Sequence, residues 1–138
     1  MKFNKHLTPW GSADQVSAIG IGILSVQTPG HGGIFVPDEL LTLMPAALRN
    51  SNQYSGTGSN WFEEDVEWAL VCAAFPHLFP VRSCFYALAT IESYANAEPG
   101  EYFHGAAQWL NVPWAAQENL KSRAALHGTE PQQGEIAF

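Results

Sequence analysis

The chain has 138 residues, 46% of them apolar, including eight Phe, five Trp and four Tyr, enough for one hydrophobic core but not for two. Thirteen acidic side chains against six basic ones give a formal charge of −7. The Lys and Arg are scattered, which argues against direct binding to nucleic acid or an anionic membrane, because both need clustered cations. No apolar run reaches the length of a membrane span and no hydrophobic secretion segment follows the basic start, so a cytoplasmic protein is expected.

The first third reads as strands. Ile19, Ile21 and Ile23 alternate with small residues, and Gly20 and Gly22 can split this stretch into two shorter strands by a turn or bulge. Thr28-Pro29-Gly30 is a turn, Gly32-Gly33-Ile34-Phe35-Val36 is the returning strand, and Pro37 ends it. A hairpin or three-stranded meander results. Pro37-Asp38-Glu39 opens a helix running to Leu48, with its acids in the first turn and Arg49 at its end, as the helix dipole favours. Residues 50–59 form a polar, glycine-rich loop.

Residues 60–75 predict a second helix, with Asn60 as N-cap and Glu63 completing a capping box. On that wheel Trp61, Asp65, Trp68, Cys72 and Phe75 fall on one apolar stripe, while Glu63, Glu64 and Glu67 share a solvated face. Asp65 would then need a buried polar partner, because an unpaired charge there is costly. Pro76 and Pro80 end this helix, and a third runs from about Arg82 to Tyr94 with Cys84, Phe85, Leu88 and Ile91 inward. A short helix follows over 101–110. Asn111 caps a last one, which ends before Gly128. The expectation is an α+β fold, a small antiparallel sheet packed on four to five helices, forming one domain over 1–128 with a flexible tail at 129–138.

Two places invite a functional reading. His31-Gly32-Gly33 joins a histidine to glycines that allow positive φ or close approach, although a turn held by a structural hydrogen bond is the simpler explanation. If His31 met Asp65, the pair would lock sheet to helix or form the base-orienting half of a catalytic triad. Ser25, Thr28 and Cys72 are nucleophiles by type only, and no nucleophile elbow, phosphate loop or metalloprotease motif occurs. Glu63, Glu64 and Glu67 are the second place. They suit a divalent cation, an ordinary solvated face, or an acidic ridge that engages a basic protein groove beside Trp61 and Phe62. Cys72 and Cys84 read as reduced core thiols, and their spacing with His77 and His104 matches no common zinc module. No metal or cofactor is expected. The five tryptophans are core by type, with one or two exposed ones natural interface anchors.

Taken together, Thr8-Pro9-Trp10-Gly11, His31-Gly32-Gly33, Met44-Pro45-Ala46-Ala47-Leu48-Arg49, the stretch from Trp61 through Ala69, and Phe75-Pro76-His77-Leu78-Phe79-Pro80 resemble an uncharacterised domain family of bacterial, plasmid and phage proteins. The resemblance covers residues 8 to about 80. It implies a mobile-element setting but no activity. With the charge, it leads to the expectation of a non-enzymatic acidic module docking on a basic, nucleic-acid-binding surface of a partner protein, as an anti-CRISPR type of anti-defence inhibitor would. Glu63, Glu64, Glu67, Trp61 and Phe62 would make the contact, with His31 and Asp65 as scaffold. The alternatives are a small hydrolase or transferase using His31 and Asp65, and a structural accessory domain.

Overall fold

A computed structural model describes residues 2–50 and 60–97. The sequence expectations for the loop at 51–59, the helices at 101–110 and from 111 onward, the tail, and Trp109 and Trp114 fall outside those residues. The described part is α+β: one four-stranded antiparallel sheet with four α-helices and a 3-10 turn.

The sheet is a plain meander of β1 (Gln15–Gly20), β2 (Ile23–Gln27), β3 (Gly32–Phe35) and β4 (Trp61–Glu63), in spatial order β1-β2-β3-β4. The glycine pair does split the first stretch. Ile21 and Gly22 carry φ of +54° and +85° in a two-residue hairpin turn, and the register shifts between Ala18 and Gly20. A fourth strand, absent from the sequence expectation, pairs with β3 through Gly33↔Glu63, Ile34↔Phe62 and Phe35↔Trp61.

Strand alternation divides the sheet into two faces. Ile23, Ile34 and Phe62 point into the main core, among Leu48, Val66, Leu70, Val71 and Ile91 from the helices and turns. Val26, Phe35 and Trp61 point the other way, into a smaller cluster closed by Phe3, Trp10, Ala13 and Leu24.

The helix expected from Pro37 to Leu48 is two helices, α1 (Asp38–Leu41) and α2 (Ala46–Arg49). Pro45 explains the break: it has no N–H to continue the ladder and pushes Met44 away from helical geometry. The Arg49 guanidinium donates to the Leu41 carbonyl at 3.2 Å, tying the two pieces together. α3 (Trp68–Ala74) is buried along almost its whole length, and Pro76 opens a 3-10 turn to Leu78. α4 (Val81–Ala97) then packs on α3. Its inward residues are Ser83, Cys84, Ala87 and Ile91, all fully buried. Phe85 is instead exposed and lies edge-on to Tyr86, over whose ring sits Arg82. One residue along a helix is about 100° of rotation, so Phe85 cannot share the inward line through Cys84, Ala87 and Ile91. Among the described residues, no helix is long and apolar enough to cross a membrane.

Candidate functional site

Residues 60–67 are not helical, and this reverses the expected polarity of the segment. Trp61-Phe62-Glu63 is a strand, a four-residue turn follows, and the helix begins only at Trp68. Asp65 is therefore exposed, whereas Glu63 and Glu67 are the buried acids, at 6% and 0% exposure. A buried carboxylate does anchor this region, but it is Glu63. Its Oε2 accepts the Asp65 N–H at 2.8 Å, and its Oε1 accepts those of Val66 at 2.6 Å and Glu67 at 3.1 Å. In return Glu67 Oε1 accepts the Glu63 N–H at 3.1 Å. This is the reciprocal logic of a capping box, one turn later than expected and across four residues instead of three. It satisfies N–H groups leading into α3 that have no helical acceptor.

Asn60, expected as N-cap, does a different job. Its amide donates to the Val36 carbonyl at 2.9 Å and to Asp38 Oδ1 at 2.8 Å, joining the β4 entry to the start of α1. The Asn60 donation holds the Asp38 carboxyl below the usual carboxylate range.

The glycines of the His31 motif serve close approach. A Cβ on Gly32 would stand 2.7 Å from the Val26 carbonyl oxygen and 2.9 Å from Glu64 Oε2. One on Gly33 would run into the Trp10 indole and the Phe62 carbonyl. Trp10 reaches Gly33 because Thr8 and Gly11 close a tight turn: the Gly11 N–H donates to the Thr8 carbonyl, and the Thr8 hydroxyl donates to the Gly11 carbonyl and accepts from the Trp10 N–H. Gly11, at φ +109°, permits that turn. Trp10 then meets Trp61 edge-on at 5.6 Å, and Trp61 meets Phe35 at 5.0 Å. Three motifs far apart in the sequence thus form one packed unit.

His31 and Asp65 lie at the same end of the β3–β4 pair. The Glu64 N–H donates to the Gly32 carbonyl at 3.0 Å, and one further step of that register would set His31 opposite Asp65. Both are exposed, and no hydrogen bond or ion pair joins them among the described residues. The Thr28 hydroxyl is committed to the turn, donating to the His31 carbonyl at 2.7 Å and accepting from its N–H at 3.1 Å. Cys72 is fully buried and Ser25 partly so. Among the described residues no three His, Cys, Asp or Glu side chains gather as metal ligands.

The five residues expected to touch a partner are thus divided. Trp61, Phe62, Glu63 and Glu67 are buried, and Glu64 is half-buried over Gly32. Among the described residues, the acidic surface left at this end of the sheet consists of Glu64, Asp65 and Asp14, whose N–H donates to the Gln27 carbonyl. Asp14 was missed, and only the β1–β2 register brings it here, through the pair Gln15↔Gln27.

The fold and its convergent motifs define a small α+β domain with an acidic sheet end. The chain belongs to a family described as a domain of unknown function (DUF7007), whose model matches residues 4–127. The match extends well beyond the stretch ending near residue 80 that carries the resemblance in the sequence. No curated protein and no solved structure is significantly similar to it.

Proposed function

We propose that this chain is a non-enzymatic acidic protein-binding module that docks on a basic, nucleic-acid-binding surface of a protein partner, in the manner of an anti-defence inhibitor from a mobile element acting in the cytoplasm. The observation that supports it is an acidic sheet end, Asp14, Glu64 and Asp65, with no ion pair among the described residues, in a chain of net charge −7. Carboxylates of this kind steer and orient a cationic partner, and salt weakens their effect. Glu63 and Glu67 act as scaffold in this reading, since their carboxylates hold backbone N–H groups. The basic site of an anti-CRISPR target fits this chemistry as one example of the class.

The test is capture from a nuclease-treated host lysate by the immobilised full chain, compared with Asp14→Lys, Glu64→Lys and Asp65→Lys combined. Wild type should enrich a basic, nucleic-acid-binding protein that added nucleic acid displaces, and the triple variant should lose that capture by about tenfold or more at low salt. Equal capture by a triple variant of unchanged thermal stability would remove the reading.

The exposure of His31 and Asp65 at one sheet end favours a second reading, a small hydrolase or transferase. His31→Ala would then abolish turnover of its substrate without altering the melt.

A further inference from the structure

The geometry points to Cys72 and Cys84 as a dithiol that peroxide converts into a disulfide, stapling α3 to α4. Cys72 lies on α3 and Cys84 on the first turn of α4, and both are fully buried. The two thiols face each other: Cys72 Sγ–H donates to Cys84 Sγ at 3.9 Å, and Cys84 Sγ–H donates to the Pro76 carbonyl at 3.4 Å. The chain has two cysteines, so an intramolecular bond has one possible pairing.

The corner between the two cysteines is already stiff, which favours closure over distortion. The Phe75 N–H donates to Val71, Leu78 to Phe75, Phe79 to Pro76 and Cys84 to Pro80. Pro76 and Pro80 further restrict the backbone between the helices. Sulfur–sulfur separation must fall from 3.9 Å to about 2 Å, a change that side-chain rotation and a small sliding of the helices share.

Hydrogen peroxide is the oxidant. One cysteine, as thiolate, attacks a peroxide oxygen, the O–O bond breaks, and hydroxide leaves a sulfenic acid on sulfur. The neighbouring thiol then attacks that sulfur and loses its proton. The S–O bond breaks, water leaves, and the S–S bond forms. Two thiols and one peroxide give one disulfide and two waters. Because both sulfurs are sealed from solvent, the first step proceeds through local opening of the corner, so mild urea should accelerate it. The resulting bond closes a short loop and restricts the unfolded chain, so it stabilises the fold.

The experiment treats the full reduced chain with excess hydrogen peroxide, quenches it with catalase, denatures and alkylates it, and maps the peptides by mass spectrometry. The expected result is a peptide linking Cys72 to Cys84 that dithiothreitol releases, with a melting temperature raised by roughly 5–10 °C over the reduced chain. Cys84→Ala treated in the same way should show neither. If that variant does not fold, the wild-type peptide map still decides the matter. Two fully alkylated cysteines, sulfinic or sulfonic products with no linked peptide, or a linked peptide without a higher melting temperature would each overturn the proposal.

Discussion

On one face of the sheet, Ile23, Ile34 and Phe62 are sealed by helices, and the core there is broad and mostly aliphatic. On the other, Val26, Phe35 and Trp61 are covered by an N-terminal segment with no helix or regular strand, through Phe3 and Trp10. The helical face spreads its burial over many side chains. The aromatic face concentrates it in four rings within 5.0–6.0 Å of their neighbours and in a glycine that lets one of them in. A cover without regular backbone pairing depends on large rings, because few contacts must offset the entropy of ordering the segment.

The sharpest way to break this contrast is to remove one ring from each face. Phe62 is fully buried among helix side chains, so Phe62→Ala should cost about 4 kcal/mol, much of the stability of a small domain. Trp10 is only partly buried, so Trp10→Ala should cost about 2 kcal/mol. The smaller loss should be local, with faster proteolysis before residue 14 and little change in the helical melt. Urea titrations of both variants check this, and equal costs with identical cleavage patterns would mean that the two faces unfold as one.

Much of the helical face was legible in the sequence, and much of the segment that carries the candidate site was not. Gly20 and Gly22 marked the hairpin because a tight turn between antiparallel strands needs positive φ. Pro76 and Pro80 marked the corner between helices. The misreading of 60–67 has a physical cause: three alternating residues are too few to separate a strand from a helix turn, and Trp61, Asp65 and Trp68 happen to fit a helical stripe. The assumption that three glutamates must face water then placed Glu63 and Glu67 on the wrong side. A better signal was available in the run from Trp68 to Phe75, which contains no charged or strongly polar residue. A helix apolar all round is buried, and its N-terminal N–H groups then need a buried acceptor just upstream. Glu63 and Glu67 stand there. The approach of Trp10 to Gly33 had no local signal, since it depends on a contact between distant segments.

Glu63 links the two faces, because β4 contributes Phe62 to one and Trp61 to the other, and its carboxylate fixes the turn that leads into α3. Glu63→Gln keeps the shape but replaces one acceptor oxygen with an N–H donor, which must face either the Asp65 N–H or those of Val66 and Glu67. The expected cost is about 2 kcal/mol, matching the lesser of the two ring deletions. Hydrogen exchange offers the direct check: the Asp65, Val66 and Glu67 amides should lose protection while those of β2 keep theirs. Unchanged protection at all three amides would show that the turn is held by packing alone.

The smallest expected effect is a gain, and it tests whether the hairpin tip belongs to either face. Ile21 is 64% exposed and has a φ of +54°, so a β-branched residue occupies left-handed backbone while burying little apolar surface in return. Asparagine tolerates that conformation, and an Asn-Gly pair is the favoured sequence for a two-residue turn of this kind. Ile21→Asn should therefore raise stability by about 1 kcal/mol, seen as a melting temperature a few degrees higher. Gly20 touches Leu78 on the helical side, where an added Cβ would stand 3.0 Å from a Leu78 methyl, while Trp10 works on the opposite face. Residues with no shared partners contribute independently, so the gain should add to the Trp10→Ala loss within a few tenths of a kcal/mol. A gain that vanishes in the Trp10→Ala background would instead tie the hairpin to the aromatic cover, leaving the helices as the independent half of the domain.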